Sequence, residues 1–182
     1  MDLNKLKQEI HQNAIEKGFW EHELSEEHCL MLVITEVAEM VEADRKGMHV
    51  PSDAIKIAKE QDFNRFFFES VYSGTVEDEL ADIVIRLLDL AGARDIEIED
   101  FIKRDEEELK EARKRISPLT YISFALCQII TSELSTKTAS RINDALSCVS
   151  DYCQVEGIDL WYFIEQKMLY NRTRPALHGK KY

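Results

Sequence analysis

Leu30-Met-Leu-Val-Ile-Thr-Glu-Val-Ala-Glu-Met-Val-Glu-Ala43 reads as a helix that is apolar on nearly every face, yet it carries Glu36 and Glu39 in its middle. Residues three apart on a helix lie on one side about one turn apart, so Glu36-Val-Ala-Glu39 presents both carboxylates together. Glu79-Leu-Ala-Asp82 repeats the arrangement in a second apolar stretch. Four carboxylates brought together repel by roughly 1 kcal/mol per close pair in water and by about 4 kcal/mol at an effective dielectric near 20. A hard divalent cation relieves that repulsion, and Mg²⁺ is typically held by a few carboxylates with waters and substrate phosphates. Glu36, Glu39, Glu79 and Asp82 are therefore candidate metal ligands, for Mg²⁺ first and Mn²⁺ second. The spacing alone is common: 35 acidic residues in 182 supply roughly seven such pairs by chance. The apolar setting singles these two out against the ordinary alternative of a solvated or salt-bridged face.

The rest of the chain supports an all-α fold. Six Gly and three Pro are few for 182 residues, and apolar residues recur at intervals of three and four over long stretches. The length suffices for one well-cored domain or for two small repeats sharing a core. A net charge of -12 and a pI near 4.9 count against a nucleic-acid polymer as partner, since like charges repel before contact. A small phosphate compound bridged by metal stays compatible. Cys29, Cys127, Cys148 and Cys153 have no CxxC spacing and read as reduced, buried thiols. With no signal-peptide core at the start and no apolar run long enough for a membrane span, the expected location is cytoplasmic.

A first helix is expected from Asp2 to Lys17, with Leu3, Leu6, Ile10 and Ala14 as its apolar stripe, and Gly18 as its stop. Ser25 caps a second that reaches Lys46. From Met48 to Gly74 the pattern is less regular and predicts a short helix or two over or beside a cleft. Thr75 and Asp78 form a capping-box pattern that opens a third long helix, from Val76 to about Ala93. A fourth is expected from near Glu97 to Arg115, then a stop and restart at Ser117-Pro118. Three more fit Leu119 to Ser135, Thr138 to about Val155, and Asp159 to Asn171.

Two internal echoes suggest duplication. Ile96-Glu-Ile-Glu-Asp-Phe-Ile102 matches Ile158-Asp-Leu-Trp-Tyr-Phe-Ile164 at an offset of 62 residues, where Asp82 falls on Asp144 but Glu79 falls on Arg141. Tyr121 to Glu133 resembles Leu30 to Glu42 at an offset of 91, with Cys127 and Ile130 in the places of Glu36 and Glu39. The reading is a helical unit with the acidic site at 1–116 and a degenerate second helical repeat at 117–182, packed as one globular body. Chance likeness of two amphipathic stretches is the alternative.

Three runs carry a family resemblance: Lys17-Gly-Phe-Trp20; Leu32-Val-Ile-Thr-Glu-Val-Ala-Glu39 with Glu42-Ala-Asp-Arg-Lys-Gly47; and Val76-Glu-Asp-Glu-Leu-Ala-Asp-Ile-Val-Ile-Arg-Leu-Leu-Asp89. Together with Gly157-Ile-Asp-Leu160, Lys167-Met-Leu-Tyr-Asn-Arg-Thr-Arg-Pro175 and His178-Gly-Lys180, in that order, the chain resembles the MazG-like, all-α nucleoside triphosphate pyrophosphohydrolases. The resemblance implies a helical bundle built on a four-helix unit, with Mg²⁺ on Glu36, Glu39, Glu79 and Asp82. It implies cleavage of an NTP or dNTP between the α and β phosphates, giving a monophosphate and pyrophosphate in nucleotide-pool house-cleaning. It implies that Lys167, Asn171 and Arg174 face phosphate or active-site oxygens, in the same chain or across a partner, and that the working unit is a homodimer or a fused pseudo-dimer. Two departures are visible: the Glu39–Glu79 interval is longer than usual, and a second helical set precedes the C-terminal motif.

Within that reading Glu39 orients or deprotonates the attacking water, Lys167, Asn171 and Arg174 complete the catalytic set, and no protein nucleophile is needed. Phe19 and Trp20 are candidates for stacking on a nucleobase, with packing against the bundle as the alternative. Glu42 is a further candidate ligand, though a surface role suits it better. Arg86 and Asp89 read as a structural ion pair, Phe63 to Phe68 as core or interface, and His178 with Lys180 and Lys181 as a tail over phosphate. His11, His22, His28 and His49 have no metal-ligand spacing. Two rivals remain: a non-catalytic helical oligomerisation or regulatory module derived from such an enzyme, and hydrolysis of a related phosphoanhydride such as a phosphoribosyl nucleotide.

Overall fold

Caps and apolar stripes set the helices of the computed structural model, which describes residues 2–116, 119–132 and 137–179. Asp2 opens α1 (Leu3–Glu16) by accepting from the backbone N–H groups of Asn4 and Lys5, and Ser25 opens α2 (Glu26–Arg45) by accepting from that of His28. A short amphipathic α3 (Ser52–Lys59) and a single turn, α4 (Arg65–Phe67), follow. The chain then runs through a wide π-type turn at Phe68–Tyr72. Thr75 caps α5 (Val76–Ala93). The remaining helices are α6 (Glu106–Ile116), α7 (Leu119–Ile130), α8 (Thr138–Glu156) and α9 (Leu160–Thr173), the last capped by Asp159. The protein is all-α, and among the described residues there is no strand.

α5 is the axis of the molecule. Val76, Leu80, Ile83, Val84, Leu87, Leu88, Leu90 and Ala91 are shut off from solvent, so most of its circumference is buried apolar surface, while Asp82, Arg86 and Asp89 form a polar stripe along one face. It packs against α1, α2, α8 and α9. α2 runs antiparallel to it, since Glu39 meets Glu79 while Glu36 meets Arg86. α7 and α8 form a second helical hairpin lying against α2 and α5, and residues from both halves of the chain join one contiguous core.

The segment expected to begin the fourth helix does not. Residues 97–105 run as a non-helical strap, and the helix starts only at Glu106. The physical reason is that distant side chains take over the strap's backbone hydrogen bonds. Asn4 pairs with both N–H and C=O of Ile98, Asn143 with the N–H of Glu99 and the C=O of Glu97, and Gln154 with the N–H of Arg104 and the C=O of Ile102. Arg104 then pairs with Asp151, while Ile98 is buried and Phe101 stacks on Trp161.

Residues 48–74 sit beside α9 and line no part of the main cleft. Phe68 stacks on Tyr170 with centroids 4.4 Å apart, Tyr72 and Tyr162 share a hydroxyl hydrogen bond of 2.9 Å, and Phe66 stays exposed.

The sequence echo is partly visible in space. α8 stands 62 residues after α5, and both end on a left-handed residue, Asp95 or Gly157. The isoleucine after each, Ile96 or Ile158, returns its N–H to Ala91 or Cys153. Gly18 and Gly47 close α1 and α2 in the same way, so this is a general helix-ending device and not a signature of duplication. Beyond it the paths part: Ile98–Ile102 is not helical, whereas Leu160–Ile164 is. Ser117-Pro118, Glu133 to Ser135, and Lys180 with Lys181 lie outside the described residues. The four cysteines are free thiols, Cys29 and Cys153 buried as expected but Cys127 and Cys148 only partly so, because they sit toward the outer faces of their helices, and no described helix is long and apolar enough to cross a membrane.

Candidate metal centre and the adjoining cleft

α2 and α5 bring Glu36, Glu39 and Glu79 together. Each offers a carboxylate oxygen, and these oxygens lie within 4.8 Å of one another, with Glu36 and Glu79 buried and Glu39 exposed. The helix partners explain the burial: Glu36 and Glu79 sit where the antiparallel pair meets, and Glu79 belongs to the first turn of α5, where the helix dipole favours negative charge. Burial and the nearby carboxylates of Asp82 and Asp78 still push Glu79 up to about 8. Its Oε2 is buried with no hydrogen-bond partner. Burial also raises Glu36, with Asp82 adding to it and Arg86 opposing.

Asp82, the fourth expected ligand, follows one turn after Glu79 but stands outside that group of three. Its Oδ2 accepts from Lys167 Nζ at 2.7 Å. The same ammonium donates to Asp78 Oδ1 at 2.8 Å, and Asp78 Oδ2 accepts from the backbone N–H of Gly74. Lys167 and Asp78 are both buried. Burial works against the Lys167 charge, and the two carboxylates outweigh it, so the side chain stays an ammonium. Burial lifts Asp78 to about 6 while Lys167 pulls it down. Sequence reasoning gave Asp78 only a capping role; the signal it passed over was a third acid in Glu77-Asp-Glu79, one more than a cap requires.

A cleft of about 970 Å³, open mouth included, is reached from this cluster through Asp82 and through Arg86, the partner of Glu36, although Glu36, Glu39 and Glu79 do not themselves line it. Asp82, Arg86 and Asp89, spaced along one face of α5, form one side. Phe19 and Trp20 form another, and Asn171 with Arg174 of the C-terminal motif close the end. Both expected aromatic residues therefore reach the cleft, as do two of the three residues expected to face phosphate or active-site oxygens. Lys167 does not line it. The contact from Lys167 to Asp82 is made within one chain, which answers whether that motif meets the acidic pairs without a partner.

The expected Arg86–Asp89 ion pair is not formed. Arg86 Nε donates to Glu36 Oε1 across the helix interface. Asp89 instead accepts from Trp20 Nε1 at 2.9 Å and faces His11 Nδ1 at 2.8 Å. The reason is lateral: Asp89 turns toward α1, where Gly92 lets His11 come so close that a Cβ would lie 2.5 Å from it. Trp20 is thus held edge-on by Asp89 and by the His11 ring, whose centroid is 5.2 Å away. Glu42 remains on the surface, paired with Arg45 and Lys46. In the second hairpin Arg141 pairs with Glu26 and Ile130 is buried, so the corresponding positions there build core and interface.

No family model, curated protein or solved structure matches the chain.

Proposed function

We propose that the chain is a divalent-metal-dependent nucleotide pyrophosphohydrolase of the MazG-like kind, acting on an NTP or dNTP between its α and β phosphates. The observation that carries this reading is a pair of features linked through Asp82, one turn after Glu79, and Arg86, the partner of Glu36: three carboxylates within 4.8 Å, two of them buried, and a cleft walled by Phe19, Trp20, Asn171 and Arg174. The donor set suits a hard cation, since it is all oxygen and includes the unpartnered buried Oε2 of Glu79. Glu36, Glu39 and Glu79 would hold Mg²⁺, or Mn²⁺, with Asp82 one turn away.

Such an ion, when bound, supplies Lewis acidity and a lowered water pKa. The chain supplies the rest. Glu39, the exposed member of the cluster, orients a water and accepts its proton as the water oxygen bonds to the α phosphorus. The α–β bridging bond breaks and pyrophosphate departs. Asn171 and Arg174 hold phosphate oxygens, Lys167 fixes Asp82 beside the cluster, and Phe19 with Trp20 receives the base. Positioning and electrostatics suffice for phosphoryl transfer of this type.

The test incubates the purified chain with a panel of NTPs and dNTPs and Mg²⁺ and measures pyrophosphate. Release that disappears in Glu79→Gln is the expected result. No release from any member of the panel would sink the reading.

A further inference from the structure

Past α9 the chain turns back on itself and brings a histidine to the cleft at a conformational cost. Leu177 (φ 50°, ψ 15°) and His178 (φ 51°, ψ 25°) are consecutive non-glycine residues in the left-handed region, which side chains with a Cβ seldom occupy. Strain of this kind persists only where surrounding contacts impose it. Those contacts are present: the N–H of Leu177 donates to the carbonyl of Lys17 at 2.8 Å, and Arg174 Nη2 donates to the carbonyl of His178 at 3.2 Å. The Lys17 ammonium in turn grips the carbonyls of Arg172 and Arg174 at the end of α9. The His178 ring rests edge-on against Phe19 with centroids 5.0 Å apart and lines the cleft.

Two further facts indicate what this arrangement is for. His178 Nε2 is buried with no hydrogen-bond partner, although a buried polar atom left without one is costly and calls for an explanation. The charges around it are also unusual for a chain of net charge -12: among the described residues neither Lys17 nor Arg174 is paired with a carboxylate, and both are spent on backbone carbonyls. This corner is a positive, donor-rich end on an acidic protein. Burial and the Arg174 guanidinium hold His178 down to about 4, so the ring is a neutral imidazole near neutral pH.

We propose that His178 is a substrate-binding residue whose Nε2–H donates to a phosphate oxygen of the bound polyphosphate, and that the strained C-terminal turn, pinned by Lys17, is a built part of the site. The proposal rests on the pyrophosphohydrolase reading for the identity of the ligand, but the anion-binding role stands on the turn's own geometry. Lys17 acts as a positioning residue, since its ammonium and carbonyl hold the turn and do not line the cleft.

Inorganic tripolyphosphate with Mg²⁺ tests this without any assumption about the base. Calorimetry on the full chain should show Mg²⁺-dependent binding, weakened about tenfold or more in His178→Ala, the scale of a hydrogen bond to a charged group. His178→Gln, which keeps an N–H donor, should recover most of it. Equal affinity in wild type and His178→Ala overturns the proposal, as does a wild-type chain that binds no tripolyphosphate. Should His178→Ala misfold, the ¹⁵N resonance of His178 Nε2 in the wild-type chain decides: a shift on adding tripolyphosphate supports the role, and an unmoved signal overturns it. Binding through His178 by a chain that hydrolyses no nucleotide would keep the phosphate site and remove the hydrolase reading.

Discussion

Lys167 Nζ lies 2.7 Å from Asp82 Oδ2 and spans 85 residues of sequence to reach it, which ties the C-terminal motif to the second acidic pair inside a single chain. The same ammonium also binds the buried Asp78, so one cation compensates two carboxylates. Lys167→Met leaves Asp78 buried without a counter-charge and should destabilise the fold by about 3–5 kcal/mol. Asp82→Asn should cost clearly less, because Asp78 remains as partner. Urea denaturation of the two variants in the absence of metal checks the order, and equal losses would contradict it.

The pH dependence of stability follows from Glu79. Its carboxyl titrates near 8 in the folded chain against an ordinary value of 4.5, so between those values the folded state holds a proton that the unfolded state has released. Stability should therefore fall as pH rises through that window. Melting in EDTA at pH 5, 6.5 and 8 should show the decline. Glu79→Gln should flatten it, and Mg²⁺ should reverse it at pH 8 by replacing the proton.

Trp20 reports directly on the cleft, while Trp161 is stacked on Phe101 elsewhere. In a Trp161→Phe background, nucleoside triphosphate with Mg²⁺ should change the Trp20 emission. Trp20→Ala should raise KM severalfold. Emission unaltered at saturating nucleotide would place the base elsewhere.

The strap at 97–105 depends on amide side chains. Asn4→Ala removes the partner of both backbone groups of Ile98 and should cost about 1–3 kcal/mol. Urea midpoints for Asn4→Ala and Asn143→Ala measure it; no loss from either would show the strap held by apolar packing alone.

Much of this architecture is legible in the residue order, and what is not legible has a common cause. Ser25 and Thr75 mark their helix starts because capping is local, and Glu36, Glu39 and Glu79 stand out because an acid inside an apolar helix is locally anomalous. The strap misleads because its hydrogen-bond partners, Asn4, Asn143 and Gln154, lie far away in the chain; the alternation Ile96-Glu-Ile-Glu99 was the one nearby sign. Arg86 and Asp89, three apart on α5, look like partners to each other, yet each finds its partner on another element. The ties from Lys167 to Asp78 and from the C-terminal turn to Lys17 are likewise long-range, so the residue order marks Lys167 and His178 as motif residues but not the partners that hold them.

The central claim is that Glu36, Glu39 and Glu79 form one cation site. Titration of the full chain with Mn²⁺, followed by the loss of free-ion signal in electron paramagnetic resonance, tests it without reference to any substrate. Saturable binding that is competed by Mg²⁺ and weakened at least tenfold in Glu36→Gln and in Glu79→Gln is the expected result. Absence of binding, or binding that both variants retain at full strength, would contradict the account.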